Sequence, residues 1–343
     1  MRMDICLCSD DNYAKYMATT IASILSNSKE NEELYFHLII DNDFTDDSKK
    51  KILSLKKIKD CEIKFYTPDV EKYKKWFEVS LVKHLSAATF YRLDIHRLIP
   101  DIDKVLYLDS DIIVRDSLKE FFEKEINDYY ALCVKEKMHI NNIELRKKLE
   151  FDKDDFYFNA GVLMINLSLW RENKIEDKFI EYWNKNYNNA HGDQDLLNFC
   201  LKGKVYDIGD NWNFFPLKGL NNKLTDDVKI IHFITFKPWE YYKKISFEVD
   251  EFWKYYQLTP WFLERPIDAI QTILAQKYGD YEDTKLKIND VKFLGIYHNR
   301  NTLEIVIFFI KIRVEMSFEN INKIAWWIPI KKLRESFRRT FGI

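Results

Sequence analysis

Short apolar runs alternate with amphipathic stretches through the first two-thirds of the chain, and the spacing within each run predicts the element it forms. Ile5 to Cys8 is apolar over the length of a short buried strand. Ala14 to Ser28 follows, with small and apolar residues on one helical face. Leu34 to Ile40 predicts a strand, Asp46 to Lys57 a charged helix, and Glu62 to Tyr66 a strand with period-two alternation. Val82 to Leu98 predicts a helix that Pro100 stops. Val105 to Leu108 and Tyr130 to Val134 read as further strands.

This rhythm predicts an α/β fold, a mostly parallel sheet with helices on both faces. Ligands of such sheets bind beyond the carboxyl ends of the strands. Asp10-Asp11-Asn12 and Asp109-Ser110-Asp111 would both lie there. The pattern changes after about Trp261, where a basic, strand-rich stretch from Lys292 to Met316 leads to Trp326-Trp327-Ile328-Pro329. Ile330, Leu333, Phe337 and Phe341 then recur at helical spacing, with Lys331, Lys332, Arg334, Arg338 and Arg339 largely elsewhere on that helix. Two parts are expected: a main domain over residues 1–260 that carries both acidic strand ends, and a basic module over 261–343.

Composition adds limits. A hydrophobic content of 46% supports a sizeable core, and 8 Gly with 7 Pro argue against a loop-dominated or collagen-like chain. Net charge is −2, yet Lys285 to Ile343 carries 12 Lys/Arg against 5 Asp/Glu. An acidic body is joined to a basic tail. Cys6, Cys8, Cys61, Cys133 and Cys200 form no Cys-x-x-Cys pair and read as reduced core residues of an intracellular protein. The first strand begins too early for a signal peptide, and Ile305 to Ile310 is too short to span a membrane. Nucleic acid is not expected as a partner, because no recognition fold accompanies the basic stretch.

The chemistry concentrates at Asp109-Ser110-Asp111. Two carboxylates leave an apolar run one residue apart, and a divalent cation is the usual compensation. Asp-x-Asp recurs at Asp41/Asp43, Asp101/Asp103, Asp152/Asp154 and Asp193/Asp195, so spacing alone leaves a solvated turn as the competing reading. Four segments join it: Cys8-Ser9-Asp10-Asp11-Asn12-Tyr13, Phe158-Asn159-Ala160-Gly161-Val162, Gly192-Asp193-Gln194-Asp195, and Ile230-Ile231-His232-Phe233 with Lys237-Pro238-Trp239. Each has a plainer alternative, such as a packing bulge at Asn159 to Gly161, a helix cap at Asp193 or a satisfied strand-end histidine at His232. One imidazole with two carboxylates suits Mn2+, or Mg2+, better than zinc.

Taken in order, these segments resemble glycosyltransferase family eight, the retaining family that includes bacterial lipopolysaccharide galactosyl- and glucosyltransferases and glycogenin. The likeness covers roughly residues 3 to 240. It implies the A-type nucleotide-diphospho-sugar transferase fold, a Rossmann-like mixed sheet, together with a UDP-hexose donor and Mn2+. By the same likeness Asp109, Asp111 and His232 hold the metal, while Cys8, Asp10, Asn12 and Tyr13 take uracil and ribose. Arg92 reaches the donor, with Ser110 beside it. Asn159, Ala160, Asp193 and Gln194 occupy the sugar-binding and reaction-centre positions, Asp193 and Gln194 as catalytic residues, and Lys237 touches the departing phosphates. His232-Phe233-Ile234-Thr235-Phe236-Lys237 departs from the family pattern, being shortened and carrying Thr where Gly is common.

The resulting expectation is an enzyme that transfers galactose or glucose from UDP to a lipid-linked saccharide, a lipopolysaccharide or lipooligosaccharide core. It would be cytoplasmic and peripheral on the inner face of the membrane, meeting anionic lipid through the basic module. The competing readings are glucosylation of a protein or of a capsular or teichoic acceptor, and a non-catalytic nucleotide-sugar-binding scaffold.

Overall fold

The computed structural model describes residues 1–79, 86–138, 142–186, 192–216, 224–235, 237–240, 249–266, 268–270, 272–273 and 335, with the backbone of 139, 294–299, 302–307 and 310–315. Two compact units divide the chain, Met1–Ala269 and Ile270–Ile343. The first opens with β1 (Arg2–Ser9), α1 (Ala14–Asn27), β2 (Glu33–Ile40), α2 (Asp46–Leu53), β3 (Glu62–Tyr66), α3 (Val70–Val79), α4 (Ile95–Leu98), β4 (Lys104–Leu108) and β5 (Ile112–Val114). It continues with α5 (Lys119–Glu123), β6 (Ala131–Lys135), α6 (Ile143–Lys148), β7 (Phe158–Asn166), α7 (Leu167–Glu172), α8 (Ile175–Asn186) and α9 (Gly192–Leu201). β8 (Val205–Asp207), β9 (Ile230–His232), α10 (Val249–Tyr256) and α11 (Pro260–Glu264) close the unit.

Seven strands form one mixed sheet in the order β3-β2-β1-β4-β7-β6-β8. β3, β2, β1 and β4 run parallel, β7 is antiparallel to both its neighbours, and β6 pairs parallel with β8. Period-two alternation sends successive side chains of each strand to opposite faces. Met3, Ile5 and Leu7 join one core cluster with the α1 side chains, while Cys6, Cys8 and Tyr107 join a second with α8 and α9. All nine residues of β7 are buried, including Asn159 and Asn166. Burial of those amides is tolerated because each is hydrogen-bonded, Asn166 accepting from Leu169 N at 2.9 Å to cap α7.

The predicted helix from Val82 to Leu98 is corrected. Residues 82–85 lie outside the described residues, and Ala87–Asp94 winds as a 3-10 helix before α4. Side-chain ties along this segment accompany the tighter winding. Arg92 Nε donates to Thr89 O at 3.0 Å, and the Asp94 carboxylate accepts from Tyr73 OH at 2.7 Å and Arg97 at 2.6 Å. Residues three apart eclipse in a 3-10 helix, so Thr89 and Arg92 share one edge. The charged helix predicted to Lys57 likewise ends as α2 at Leu53 and continues as a 3-10 turn over Ser54–Lys57.

The first unit extends past residue 260: Trp261 packs against the core and Lys51 pairs with Glu264 at 2.7 Å. In the second unit β10 (Leu294–Asn299), β11 (Thr302–Ile307) and β12 (Ile310–Glu315) form an antiparallel three-stranded sheet. Trp326, Trp327 and the predicted helix from Ile330 to Phe341 lie outside the described residues, apart from Glu335. Among the described residues no helix is long and apolar enough to cross a membrane.

Candidate active site

β4 carries the chain to Asp109, whose backbone N donates to Gly161 O on β7 at 2.9 Å. The chain turns through Ser110 and Asp111 into β5, which leaves the main sheet and pairs antiparallel with β9. That register sets His232 opposite Ile112, one residue from Asp111. The other edge of β5 is satisfied by side chains of α1. Thr20 Oγ1 donates to Ile112 O at 2.8 Å, Val114 N donates to Ser23 Oγ at 3.0 Å, and Asn27 Nδ2 donates to Val114 O at 2.9 Å. Positions 20, 23 and 27 fall on one helical face, so α1 acts as a third strand would.

Asp109, Asp111 and His232 each direct one ligand atom to a common point, with all three atoms within 4.8 Å of one another. His232 Nε2 lies 3.2 Å from Asp111 Oδ1 and 3.6 Å from Asp109 Oδ2. Asp111 Oδ1 is buried without a hydrogen-bond partner, the condition of an acceptor waiting for a cation. Gly161 keeps the space open: a Cβ there would sit 2.2 Å from His232 Cε1 and 2.6 Å from Asp109 Oδ2. Two carboxylates, one imidazole and that orphaned oxygen fit a divalent cation of the Mn2+ or Mg2+ kind.

Behind the triad stands Arg92, which is buried. Its guanidinium contacts Asp109 Oδ1 at 2.8 Å and Asp193 Oδ2 at 3.0 Å, donates to Ala160 O at 2.8 Å, and lies 4.4 Å over the Tyr107 ring. Burial works against its charge, but Asp109 and Asp193 raise its pKa above the ordinary value. Asp193 is the converse case. Burial raises its carboxyl above the usual range although Arg92 and Thr89 pull it down. Thr89 Oγ1 donates to Asp193 Oδ1 at 2.6 Å, which is what the shared 3-10 edge achieves. For Asp111, burial raises the pKa, yet Lys237 and His232 prevail and hold it below the usual carboxylate range. Lys237 Nζ pairs with Asp111 and donates to Phe233 O at 2.7 Å.

In front of the triad a cleft of about 290 Å3 is lined by Cys8, Asp10, Asn12, Tyr13, Ser110 and Lys237, with Asp109, Asp111 and Arg92 along its wall. Asn12 and Tyr13 are exposed, while Asp10 accepts from Tyr13 N at 3.0 Å to start the short 3-10 turn they occupy. Ser110 Oγ donates to Cys8 O at 3.0 Å, fixing the turn to the end of β1. Trp239 stacks on Tyr16 of α1 at 3.5 Å between ring centroids, and this anchors the segment that carries Lys237. Of the residues singled out from the sequence, Asn159, Ala160, Asp193, Gln194 and His232 do not line this cleft but belong to the network behind it.

Gln194 is half-buried at the centre of that network. Its Oε1 accepts from Asn159 Nδ2 at 3.0 Å and Ala160 N at 3.1 Å, and its Nε2 donates to Glu136 Oε2 at 3.0 Å and Tyr157 OH at 3.1 Å. Sequence reasoning missed Tyr107, Thr89, Glu136, Tyr157 and Asn213. Tyr107 lies inside a run read simply as apolar, yet its OH donates to Asp109 Oδ1 at 2.7 Å. Asn213 sits in a polar turn after Gly209 that carries no periodic signal, and its Oδ1 lies 3.0 Å from His232 Nδ1.

Known proteins of one kind share this chain's sequence and fold. The sequence model of glycosyl transferase family 8 matches residues 4–243. A putative glycosyltransferase of Haemophilus influenzae is 35% identical over 62% of this chain and 64% of its own length. A lipopolysaccharide 1,2-glucosyltransferase of Escherichia coli is 29% identical over 74% of this chain and 77% of its own. Among solved structures, the galactosyltransferase LgtC in complex with donor and acceptor sugar analogues superposes with a TM-score of 0.66. It is 26% identical, over 75% of this chain and 96% of that one.

Proposed function

This chain belongs to glycosyl transferase family 8 and has the A-type nucleotide-diphospho-sugar transferase fold, and from that premise we propose that it is a retaining hexosyltransferase. It moves galactose or glucose from a UDP-hexose to a saccharide acceptor, with a lipid-linked lipopolysaccharide or lipooligosaccharide core as the acceptor class. The observation that carries the reading is the Asp109, Asp111 and His232 triad, whose two carboxylates stand at the wall of a cleft lined by residues that suit a nucleotide. The lipid-linked acceptor is supported by the lipopolysaccharide glucosyltransferases among the relatives and by the basic stretch after Lys285, suited to an anionic membrane surface.

Asp109, Asp111 and His232 would hold Mn2+, or Mg2+, which when bound supplies Lewis-acid stabilisation to the diphosphate. The protein's own groups do the rest. Asn12 and Tyr13, on the exposed turn, receive the base and ribose end. Lys237 is a compact, movable charge that can leave Asp111 for the departing phosphate and offset the charge that develops on UDP. Arg92 fixes Asp109 and Asp193 relative to each other, so the metal-binding and sugar-holding carboxylates move as one piece. Gln194 is a poor nucleophile, because both lone-pair positions of its Oε1 already accept hydrogen bonds. Retention is then better served by attack of the acceptor hydroxyl on the face from which UDP departs. The leaving phosphate takes the proton, and Gln194 and Asp193 hold the sugar.

A screen of UDP-sugars for Mn2+-dependent UDP release tests the reading. Release from UDP-galactose or UDP-glucose is expected. Absence of release from every UDP-sugar, with and without saccharide acceptors, would reduce the protein to a nucleotide-sugar-binding scaffold.

A further inference from the structure

A chain of amide side chains runs from Gln194 through Asn159 and Asn213 to His232, and its direction is set by main-chain groups. Side-chain amide orientation is ordinarily assigned from the surrounding bonds, so a fixed donor at a known place decides it. Here β7 provides two. Ala160 N–H donates to Gln194 at 3.1 Å and Gly161 N–H donates to Asn159 at 3.0 Å, so each contacted atom must be the amide oxygen. Asn159 Nδ2 therefore faces Gln194 Oε1, at 3.0 Å. The atom of Asn213 lying 2.9 Å from Asn159 Oδ1 must be its Nδ2, and its Oδ1 consequently faces His232 Nδ1 at 3.0 Å. An amide oxygen can only accept, so Nδ1 of His232 carries a proton and Nε2 is left to face Asp109 and Asp111.

The location of Asn213 is equally constrained. It is 3% exposed, and the residue after it is bonded into β9: Phe214 N donates to Ile230 O and His232 N donates to Phe214 O, both at 2.9 Å. Asn213 and His232 are thus both buried on backbone segments hydrogen-bonded to each other.

We infer that Asn213 is a positioning residue for the metal centre, which fixes the tautomer and ring orientation of His232 and links that ligand through Asn159 to Gln194 at the reaction centre. The inference rests on the metal-site reading above. Outer partners of metal-bound histidines typically account for about 10–100-fold in metal affinity. The two ends of Asn213 have separable duties. Its oxygen orients the metal ligand, and its nitrogen holds Asn159 and so the amide that meets the sugar.

Two variants separate these duties. Asn213→Leu removes both contacts, whereas Asn213→Asp keeps an acceptor for His232 Nδ1–H and loses the donor to Asn159. Mn2+ affinity, measured by electron paramagnetic resonance titration of the full chain with UDP absent, is expected to fall about 10–100-fold in Asn213→Leu and to stay near wild type in Asn213→Asp. Turnover is expected to fall in both, and in Asn213→Asp with an unchanged Mn2+ requirement. Imidazole 15N spectra of the metal-free protein, with His232 assigned by its absence in His232→Asn, should report Nδ1–H in wild type and Asn213→Asp and a tautomer mixture in Asn213→Leu. Wild-type Mn2+ affinity together with an unchanged His232 spectrum in Asn213→Leu would overturn the inference. If Asn213→Leu does not fold, loss of Mn2+ affinity or of the Nδ1–H signal in folded Asn213→Asp overturns it equally. Failure of the wild-type protein to bind Mn2+ or Mg2+ would instead remove the metal-site reading, and the imidazole spectra would still decide whether Asn213 fixes the ring.

Discussion

On one side of the Asp109–Asp111 turn, Asn12 and Tyr13 face solvent on a short 3-10 turn, and Lys237 reaches in from a segment held by the Trp239–Tyr16 stack. On the other side, Arg92 pairs with Asp193, and Asn159 joins Gln194 to Asn213 side chain to side chain; all but Gln194 are buried. The open flank keeps donors and acceptors available for a ligand. Most polar groups of the closed flank are bonded to one another, and such mutual bonding holds an interior arrangement rigid. On the function proposed above, the open flank meets the nucleotide, and the closed flank positions the groups that meet the sugar.

The largest expected effect breaks the closed flank at its centre. Arg92→Met leaves the buried Asp193 and the half-buried Asp109 without their shared cation, and removing one partner of a buried ion pair costs about 3–5 kcal/mol. Chemical denaturation should register that loss, with transferase activity abolished in the same preparation. A variant as stable as wild type would mean that Tyr107 and Thr89 suffice to hold the two carboxylates.

A smaller effect comes from acidity. Asp193 has its carboxyl raised by burial, against the pull of Arg92. A raised value means that the folded protein keeps this proton to higher pH than the unfolded chain, so the group's contribution to stability is complete below its ordinary pKa of 3.8 and declines as pH rises through the raised value. The unfolding free energy of wild type minus that of Asp193→Asn should therefore fall as pH climbs from 3.8 and then level. A difference that does not vary with pH would show that Arg92 compensates the burial fully.

The smallest effect sharpens the comparison from the open side. Asn12→Ala should leave stability within about 0.5 kcal/mol, as exposed substitutions usually do. It should raise the KM for the donor about 2–10-fold, the worth of one net hydrogen bond, with kcat unchanged. A stability loss comparable to that of Arg92→Met would erase the distinction between the flanks.

The residues of the open flank and the clustered Asp109, Asp111 and His232 were the parts that the sequence made legible. Asp109 and Asp111 stand at the end of an apolar run, His232 at the end of another, and Asn12 and Tyr13 just beyond the first strand; termini of strands are visible in one sequence. The closed flank was harder to read because its members are ordinary residues made special by distant partners. Asn213 sits in an unpatterned turn, Tyr107 within a strand, and Thr89 in a segment whose helical periodicity concealed a 3-10 winding. β7 shows the same limit in the fold. A strand buried at every position has no alternation to reveal its pairing, and whether it runs parallel or antiparallel is set by its neighbours. The helix from Ile330 to Phe341 and the paired tryptophans before it fall outside the described residues.

The pairing of β5 with β9 has a consequence for biosynthesis. Chains emerge from the ribosome amino end first, and contacts between residues far apart in sequence are closed last. All seven strands of the main sheet precede β9, which among the described residues is the final strand of the first unit. A nascent chain can complete its sheet and seat Asp109 and Asp111 while the imidazole that joins them has still to be made. Bringing His232 to the two carboxylates is therefore a late act of folding, and a chain interrupted before Ile230 would possess the sheet without the completed cluster.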